Sequence, residues 1–490
     1  MTFTPSRRHL VALIVALCYL IVASLAIYRE QNWIWLVPLA ATAIALCLNR
    51  LEETLVFIAF CTPFAINTEL FEKMVLSLPT EPLMILFSVV FLFRALAVRG
   101  YDKQVLHHPV SIALLLSLGW MLVSALLSSD ILVSIKYWAA RLWFVIPFYF
   151  AAAIYFQKTK RIRQFFTAYA VALSVVVLLT TWKTLGNAQD LQLLHRVMKP
   201  FYNDHTAYGC VTALFLPGAC YYCFERGAKF WQRLFYLAIA AILAVGLAFS
   251  YCRAAWISLI GALSVFLLIR WGMKLKWMLA LMVVGVGLFF VHQSDILYQM
   301  GKNQQDSSLT LSDQIQSISN ISTDASNLER LNRWACAFRM FSEHPIDGYG
   351  PGTYQFFYGS YQRSDQLSTI STNAGDLGNA HSEYIGPLAE QGVLGLLLVV
   401  AVFLYTFSTG VRIYRSNADP SLRKLALTLT LCLTTYYIHG FFNNFLDTDK
   451  LSVPFWAFTA AIVSLDCLSG KTSSESTASG PDSSHPSSHS

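Results

Sequence analysis

Apolar runs recur along almost the whole chain, at 9–28, 33–49, 54–66, 82–98, 109–128, 136–156, 164–182, 206–224, 233–251, 253–270, 277–291, 391–410, 424–441 and 452–468. Most approach the roughly 18–20 residues that a helix needs to cross a bilayer. A helix satisfies its own backbone groups within one segment, which lipid demands. The pattern therefore predicts an all-α polytopic membrane protein with about 12–14 transmembrane helices. Run 54–66 is short and contains Pro63, so it is either re-entrant or merged with a neighbour. Run 9–28 follows Arg7 and Arg8 and is read as an uncleaved first helix, because further spans follow at once.

One segment, 292–390, breaks the rhythm and is far longer than a connection requires. Its stretch 303–327 is polar and reads as flexible. Ser326 and Glu329 then form a capping-box pattern, and Leu328, Leu331, Ala335, Phe338 and Phe341 recur at helical spacing up to Pro345. An amphipathic helix is expected there, followed by the glycine-rich turn DGYGPGTY (347–354) and NAHSEYIGPLAEQGVLG (379–395). The chain thus divides into an N-terminal bundle (1–291), a loop domain (292–390), C-terminal helices (391–468) and a Ser-rich tail (469–490) expected to be disordered.

Composition agrees with the class: 56% of the 490 residues are hydrophobic and 13% charged, about half the charge of a soluble domain. The net charge of +7 matters less than its distribution, and nucleic acid is not an expected partner. With the N-terminus inside, 21 of the 35 basic residues fall on inner segments, as positive-inside topology requires. Both termini are then cytoplasmic and 292–390 is extracytoplasmic. The ten cysteines lie mostly in apolar runs, as small hydrophobes do. Cys220 and Cys223 have neither a second pair nor a nearby histidine to complete a zinc set. No metal or other cofactor is expected.

The span centres carry almost no ionisable residues, whereas a transporter or proton pump needs them at that depth. Polar residues gather instead at the outer ends of spans: Arg141, the stretch 203–209, Arg253, His381, His439 and the stretch 443–450. That placement favours chemistry on a lipid-borne substrate at the membrane–water boundary. Arg330 and Arg333 are cations in an otherwise acidic loop. The planar guanidinium fork suits phosphate or diphosphate, with snorkelling or pairing to a carboxylate as the alternative. His381 is the one residue of its motif that titrates near neutral pH, which suits a base for a sugar hydroxyl. A packing role at the interface competes with that reading. Glu383 and Glu390 read as solvated or structural, and Gly392 and Gly395 as points where helices approach closely.

His381-Ser382, then nine residues, then Gly392-Val393-Leu394-Gly395 fits H-[NSQ], nine residues, G-x-x-[GTY] at every specified position. This resembles the motif of the O-antigen ligases. YCRAAWISLIG (251–261), ERLNRW (329–334) and HPIDGYGPGTY (344–354) resemble segments of the wider O-antigen ligase and polymerase family. The resemblance covers about 200–445. It implies a membrane glycosyltransferase of the GT-C type at the periplasmic face of a bacterial inner membrane. It further implies a glycan donor on undecaprenyl diphosphate and no metal or nucleotide. Arg253, Arg330 and Arg141 would hold the diphosphate, and His381 would activate the acceptor hydroxyl. Ser382, Gly392 and Gly395 are the remaining motif positions. A ligase passes the glycan to lipid A–core oligosaccharide; a polymerase, the alternative, extends one lipid-linked glycan with another. A transporter or flippase is a third reading, opposed by the bare span centres.

Overall fold

A computed structural model of the chain describes residues 36–70, 74–98, 102–186, 197–291, 325–367, 371, 378–416 and 419–478. The expected first span, the stretch 303–324 and the last twelve residues of the tail lie outside them. Two units are separable, residues 1–54 and 55–490. The first contains α1 (Leu36–Asn49) and the start of α2 (Leu51–Cys61).

In the second unit, prolines and capping side chains cut the apolar sequence into helices. They are α3 (Thr80–Val98), α4 (Pro109–Leu126), α5 (Ile131–Tyr155), α6 (Thr159–Gly186), α7 (His205–Cys223) and α8 (Phe230–Phe249). After them come α9 (Arg253–Arg270), α10 (Leu275–Val291), α11 (Ala325–Glu343), α12 (Ile385–Arg415), α13 (Pro420–His439) and α14 (Asp449–Ala478). Asp130, Asp204 and Asp419 accept hydrogen bonds from N–H groups in the first turns of α5, α7 and α13, which such N-caps supply. Pro109 and Pro420 open their helices, where a missing N–H costs nothing. Within α5, Pro147 lies in a π-helical turn, Ile146–Ala151.

The chain is an all-α polytopic membrane protein. Eight of the described helices are long and apolar enough to cross a membrane, against the twelve to fourteen expected. α7 and α13 have the length but carry several threonines and tyrosines, and α7 two glycines. In α13 the hydroxyls of Thr428, Thr430, Thr434 and Thr435 donate to carbonyls three or four residues back. They are thereby satisfied without water.

Three local expectations change. Run 54–66 splits: α2 stops at Cys61 ahead of Pro63, and Ile66–Leu70 pairs antiparallel with Met74–Leu78. Buried Lys450 holds the turn between them, its Nζ donating to Thr62 O and Ala65 O at 2.5 and 2.7 Å. α14 continues to Ala478, ten residues into the tail expected to be disordered, because adding a residue to an existing helix gains a backbone bond without a new nucleation cost. The buried face of α11 contains Leu331, Trp334, Ala337 and Met340, packed against Tyr349, Tyr354 and Ile385. That face is rotated from the expected stripe, since Trp334 and Met340 offer more apolar area than Ala335. Glu329 pairs with Arg333 at 2.8 Å.

Candidate functional site

The segment 379–384 leads into α12, and each of its residues is held by a neighbour. Asn379 Oδ1 accepts the His381 N–H at 3.0 Å, and His381 has φ +49°. The Ser382 hydroxyl accepts from Tyr384 N and Ile385 N, both at 3.3 Å, so it caps the start of α12. Among the described residues, the non-glycine residues in the left-handed region are His381 and Tyr251. Tyr251 stands two positions before Arg253. Such conformations persist only where the surroundings impose them, and they gather at functional sites.

Glu383 is buried, not solvated. Its Oε1 accepts from Tyr436 OH at 2.5 Å, Phe445 N at 2.8 Å and Leu446 N at 2.9 Å, while its own N–H donates to Gly440 O at 2.8 Å. The turn after α13 leaves N–H groups without a helical acceptor, and an ionised carboxylate is a strong one. Glu390 is also buried and accepts from Tyr354 N at 3.0 Å. Main-chain bonds join the glycine turn to the same stretch of α12: Tyr349 N to Ala389 O, Gly350 N to Glu390 O and Val393 N to Pro345 O. Gly392 has φ +68° and ψ −169°, a kink within α12, and a Cβ there would collide with the Ile346 carbonyl. A Cβ on Gly395 would meet Gln391 Cβ and the Pro387 carbonyl on the bent helix. The glycines of the motif therefore admit a loop and a kink; the helix–helix approach expected of them is replaced by this contact.

Arg330 Nε donates to Phe442 O at 3.1 Å. Its charge also reaches Cys252: burial pushes that thiol up to about 11, with the Ala255 N–H and the Arg330 cation pulling the other way. Arg253, the first residue of α9, follows Cys252 directly. Arg330 and Glu383, two residues after His381, both bond to the turn 440–446, beside which His439 is fully buried with Nε2 facing Asn443 Nδ2 at 3.1 Å. Arg333 was weighed as a loop cation, and it is instead a positioning residue. Its Nε donates to Glu329, its Nη1 to Asn379 O at 3.2 Å, and its guanidinium lies over the Tyr358 ring. Burial works against its charge, yet the bonded Glu329 carboxylate outweighs that and raises its pKa further. Sequence reading allowed a carboxylate partner for Arg333 and a structural role for Glu383 and Glu390, and the fold supplies the partners it could not name.

Arg141 is placed differently. Its Nη1 donates to Leu446 O at 2.6 Å and its Nη2 to Tyr137 OH at 2.9 Å. It lines a cavity of about 350 Å³ together with Ser382, Glu383, Glu390 and Asp447; Phe403, Val402 and Leu118 are among the apolar residues of the lining. His381, Arg253 and Arg330 do not line it, although Asn379, Ala380 and Ser382 do. Trp456 Nε1 and Asn444 Oδ1, on two cavity-lining residues, are buried without a hydrogen-bond partner among the described residues. Each such orphan costs about 1–3 kcal/mol.

Asp447 opens into the same cavity. Burial pushes its carboxyl up to about 6, the Glu383 carboxylate adds to the effect, and Arg141 opposes it. A raised pKa means that the folded state holds the proton more tightly than the unfolded chain. The resulting stabilisation is complete below the ordinary aspartate pKa and is lost as pH rises through about 6. Asp447→Asn should therefore gain stability relative to the parent protein as pH rises from about 4 to about 7. Thermal unfolding in detergent measures this, and a difference independent of pH contradicts it.

Residues 238–400 match the family model described as O-antigen ligase. The matched stretch runs from α8 into the middle of α12 and contains Arg253, Arg330, His381, Ser382, Gly392 and Gly395; Arg141 lies outside it. No curated protein matches the chain.

Proposed function

We propose that this chain, whose residues 238–400 match the O-antigen ligase family model, moves a glycan from undecaprenyl diphosphate to a hydroxyl of lipid A–core oligosaccharide. The reaction takes place at the periplasmic face of a bacterial inner membrane, on a GT-C-type helical scaffold with both termini in the cytoplasm. One observation supports this reading: Arg330 and, through Glu383, the loop bearing His381 both bond to the turn 440–446, and the Arg330 charge reaches Cys252, the neighbour of Arg253.

His381 takes the proton from the acceptor hydroxyl. The hydroxyl oxygen then attacks the anomeric carbon, whose bond to the diphosphate oxygen breaks. Arg253 and Arg330 hold the diphosphate and stabilise the negative charge it gains on leaving, as preorganised cations do. Arg141 is assigned elsewhere, because two of its nitrogens are engaged by Leu446 O and Tyr137 OH and three carboxylates line the same cavity. It secures the turn 440–446. Ser382 caps the start of α12 with its hydroxyl, and Gly392 bends the helix through its backbone.

Deleting the gene and examining the lipopolysaccharide tests the acceptor. Loss of a ligase leaves bare core and accumulates lipid-linked glycan. Core bearing a single repeat unit would instead identify a polymerase on the same scaffold, and an unchanged lipopolysaccharide would remove both.

A further inference from the structure

The far end of α12 from the His381 loop carries a cluster of charge that the transfer chemistry does not use. α12 ends at Arg415, whose Nη2 donates to Met273 O at 2.6 Å. Met273 lies in the junction between α9 and α10, which also bears Arg270, Lys274 and Lys276, all exposed. This junction is firmly built. Gly272 takes φ +77°, and Met273 N donates to Leu268 O at 3.0 Å, which closes α9 with a left-handed glycine. Met273 packs on the cluster of Ile269, Met278, Val411 and Leu427, so the junction is fastened to α12 and α13.

The cations there lack counter-charges. Residues 270–277 and 411–416 include no aspartate or glutamate. Arg412 is answered by Asp466 at 2.9 Å. Among the described residues, no carboxylate pairs with Arg270, Lys274, Lys276 or Arg415. Like charges held on one corner repel one another, and an anion relieves the repulsion.

Apolar surface selects the kind of anion. Trp271 and Trp277 are 75% and 61% exposed, and tryptophan at the ends of spans sits at headgroup level. Ile260, Leu263 and Leu267 are exposed along the face of α9 that ends at Arg270, three and four residues apart. Leu281 and Val284 continue from Trp277 along α10 in the same way. Each stripe runs from hydrocarbon to a cation or an indole at the helix end. Nucleic acid or an acidic peptide would match the charge and leave the stripes bare. A zwitterionic lipid would match the stripes and bring its own cation against the four.

We propose that the α9–α10 junction, with Arg415 of α12, binds the phosphate of an anionic phospholipid whose acyl chains lie along α9 and α10. The lipid belongs to the leaflet opposite the His381 loop. It braces α9 and α12 from their far ends and takes no part in transfer, so the site stands apart from the transferase reading.

Thermal unfolding of the full chain in neutral detergent tests this, with dioleoylphosphatidylglycerol, dioleoylphosphatidylcholine or inorganic phosphate as the titrant. Phosphatidylglycerol should raise the melting temperature to a plateau, as a ligand of the folded state does. The other two should leave it unchanged. Lys274→Gln combined with Lys276→Gln should raise the half-saturating concentration about 25-fold, about fivefold for each cation lost at an anionic lipid surface. Lys103→Gln combined with Lys160→Gln removes the same charge from exposed positions elsewhere and should titrate as the parent protein does. Equal effects of the two lipids overturn the site, as does an unaltered titration in the Lys274 and Lys276 variant. Equal weakening in both double variants overturns it too, because the effect would then be one of diffuse charge. A plateau reached with inorganic phosphate alone also overturns it, since hydrocarbon would then play no part.

Discussion

His381→Asn is expected to leave the protein folded in the membrane and to slow glycan transfer by about 10²–10⁴-fold, the usual worth of a positioned general base. Asparagine is the informative replacement because the backbone at this position has φ +49°, which asparagine tolerates and most side chains resist. His381→Ala removes the imidazole but adds backbone strain, so its loss of activity would have two causes. The supports of the histidine remain in the Asn variant: the Asn379 side chain behind it, the Ser382 cap ahead of it, and Arg333 holding Asn379 O. Transfer at the parental rate would remove His381 from the chemistry while leaving the motif's structural role intact.

Gly392→Ala is expected to cost about 3 kcal/mol or more, enough to deplete the protein from the membrane fraction or to lower its melting temperature sharply. Two independent penalties combine there. The backbone, at φ +68° and ψ −169°, occupies a region that is essentially reserved for glycine. A Cβ would also be driven into the Ile346 carbonyl, which belongs to main chain held by the Val393 N to Pro345 O bond. Neither can relax without separating the glycine turn from α12, and Tyr354 N, bonded to Glu390, would lose its acceptor. Gly285→Ala in α10 is the control: nothing lies within 4 Å of the added atom, and alanine favours the helix by about 1 kcal/mol. Thermal unfolding of the two variants side by side measures the contrast, and equal stability would contradict the role given to the kink.

Much of the scaffold was legible in the sequence because length and hydrophobicity are local properties. α9 occupies 253–270 as read, and α11 ends just before Pro345 as its spacing implied. The motif was legible for the same reason: its spacing is written along one continuous stretch. What stayed hidden depends on partners far away in the chain. Glu383 read as either solvated or structural because the Phe445 and Leu446 N–H groups it serves lie about sixty residues on. Arg333 looked like a loop cation because Asn379, which it supports, is separated from it by a long polar stretch. The antiparallel pair at 66–78 was missed because five-residue strands carry little periodic signal beside long helices. Arg141 was grouped with the other arginines as a cation at the outer end of a span, and only the fold shows which carboxylates share its cavity.

The central claim is transfer from a lipid diphosphate with His381 as base, and a single-turnover assay on purified protein tests it most directly. Undecaprenyl diphosphate–linked glycan and lipid A–core are mixed with the parent protein or with His381→Asn, without added nucleotide or metal. The account predicts glycan on the core and stoichiometric release of undecaprenyl diphosphate with the parent protein, and a rate at least about 100-fold lower with the variant. No release by the parent protein on any acceptor, or equal rates for the two proteins, would contradict it.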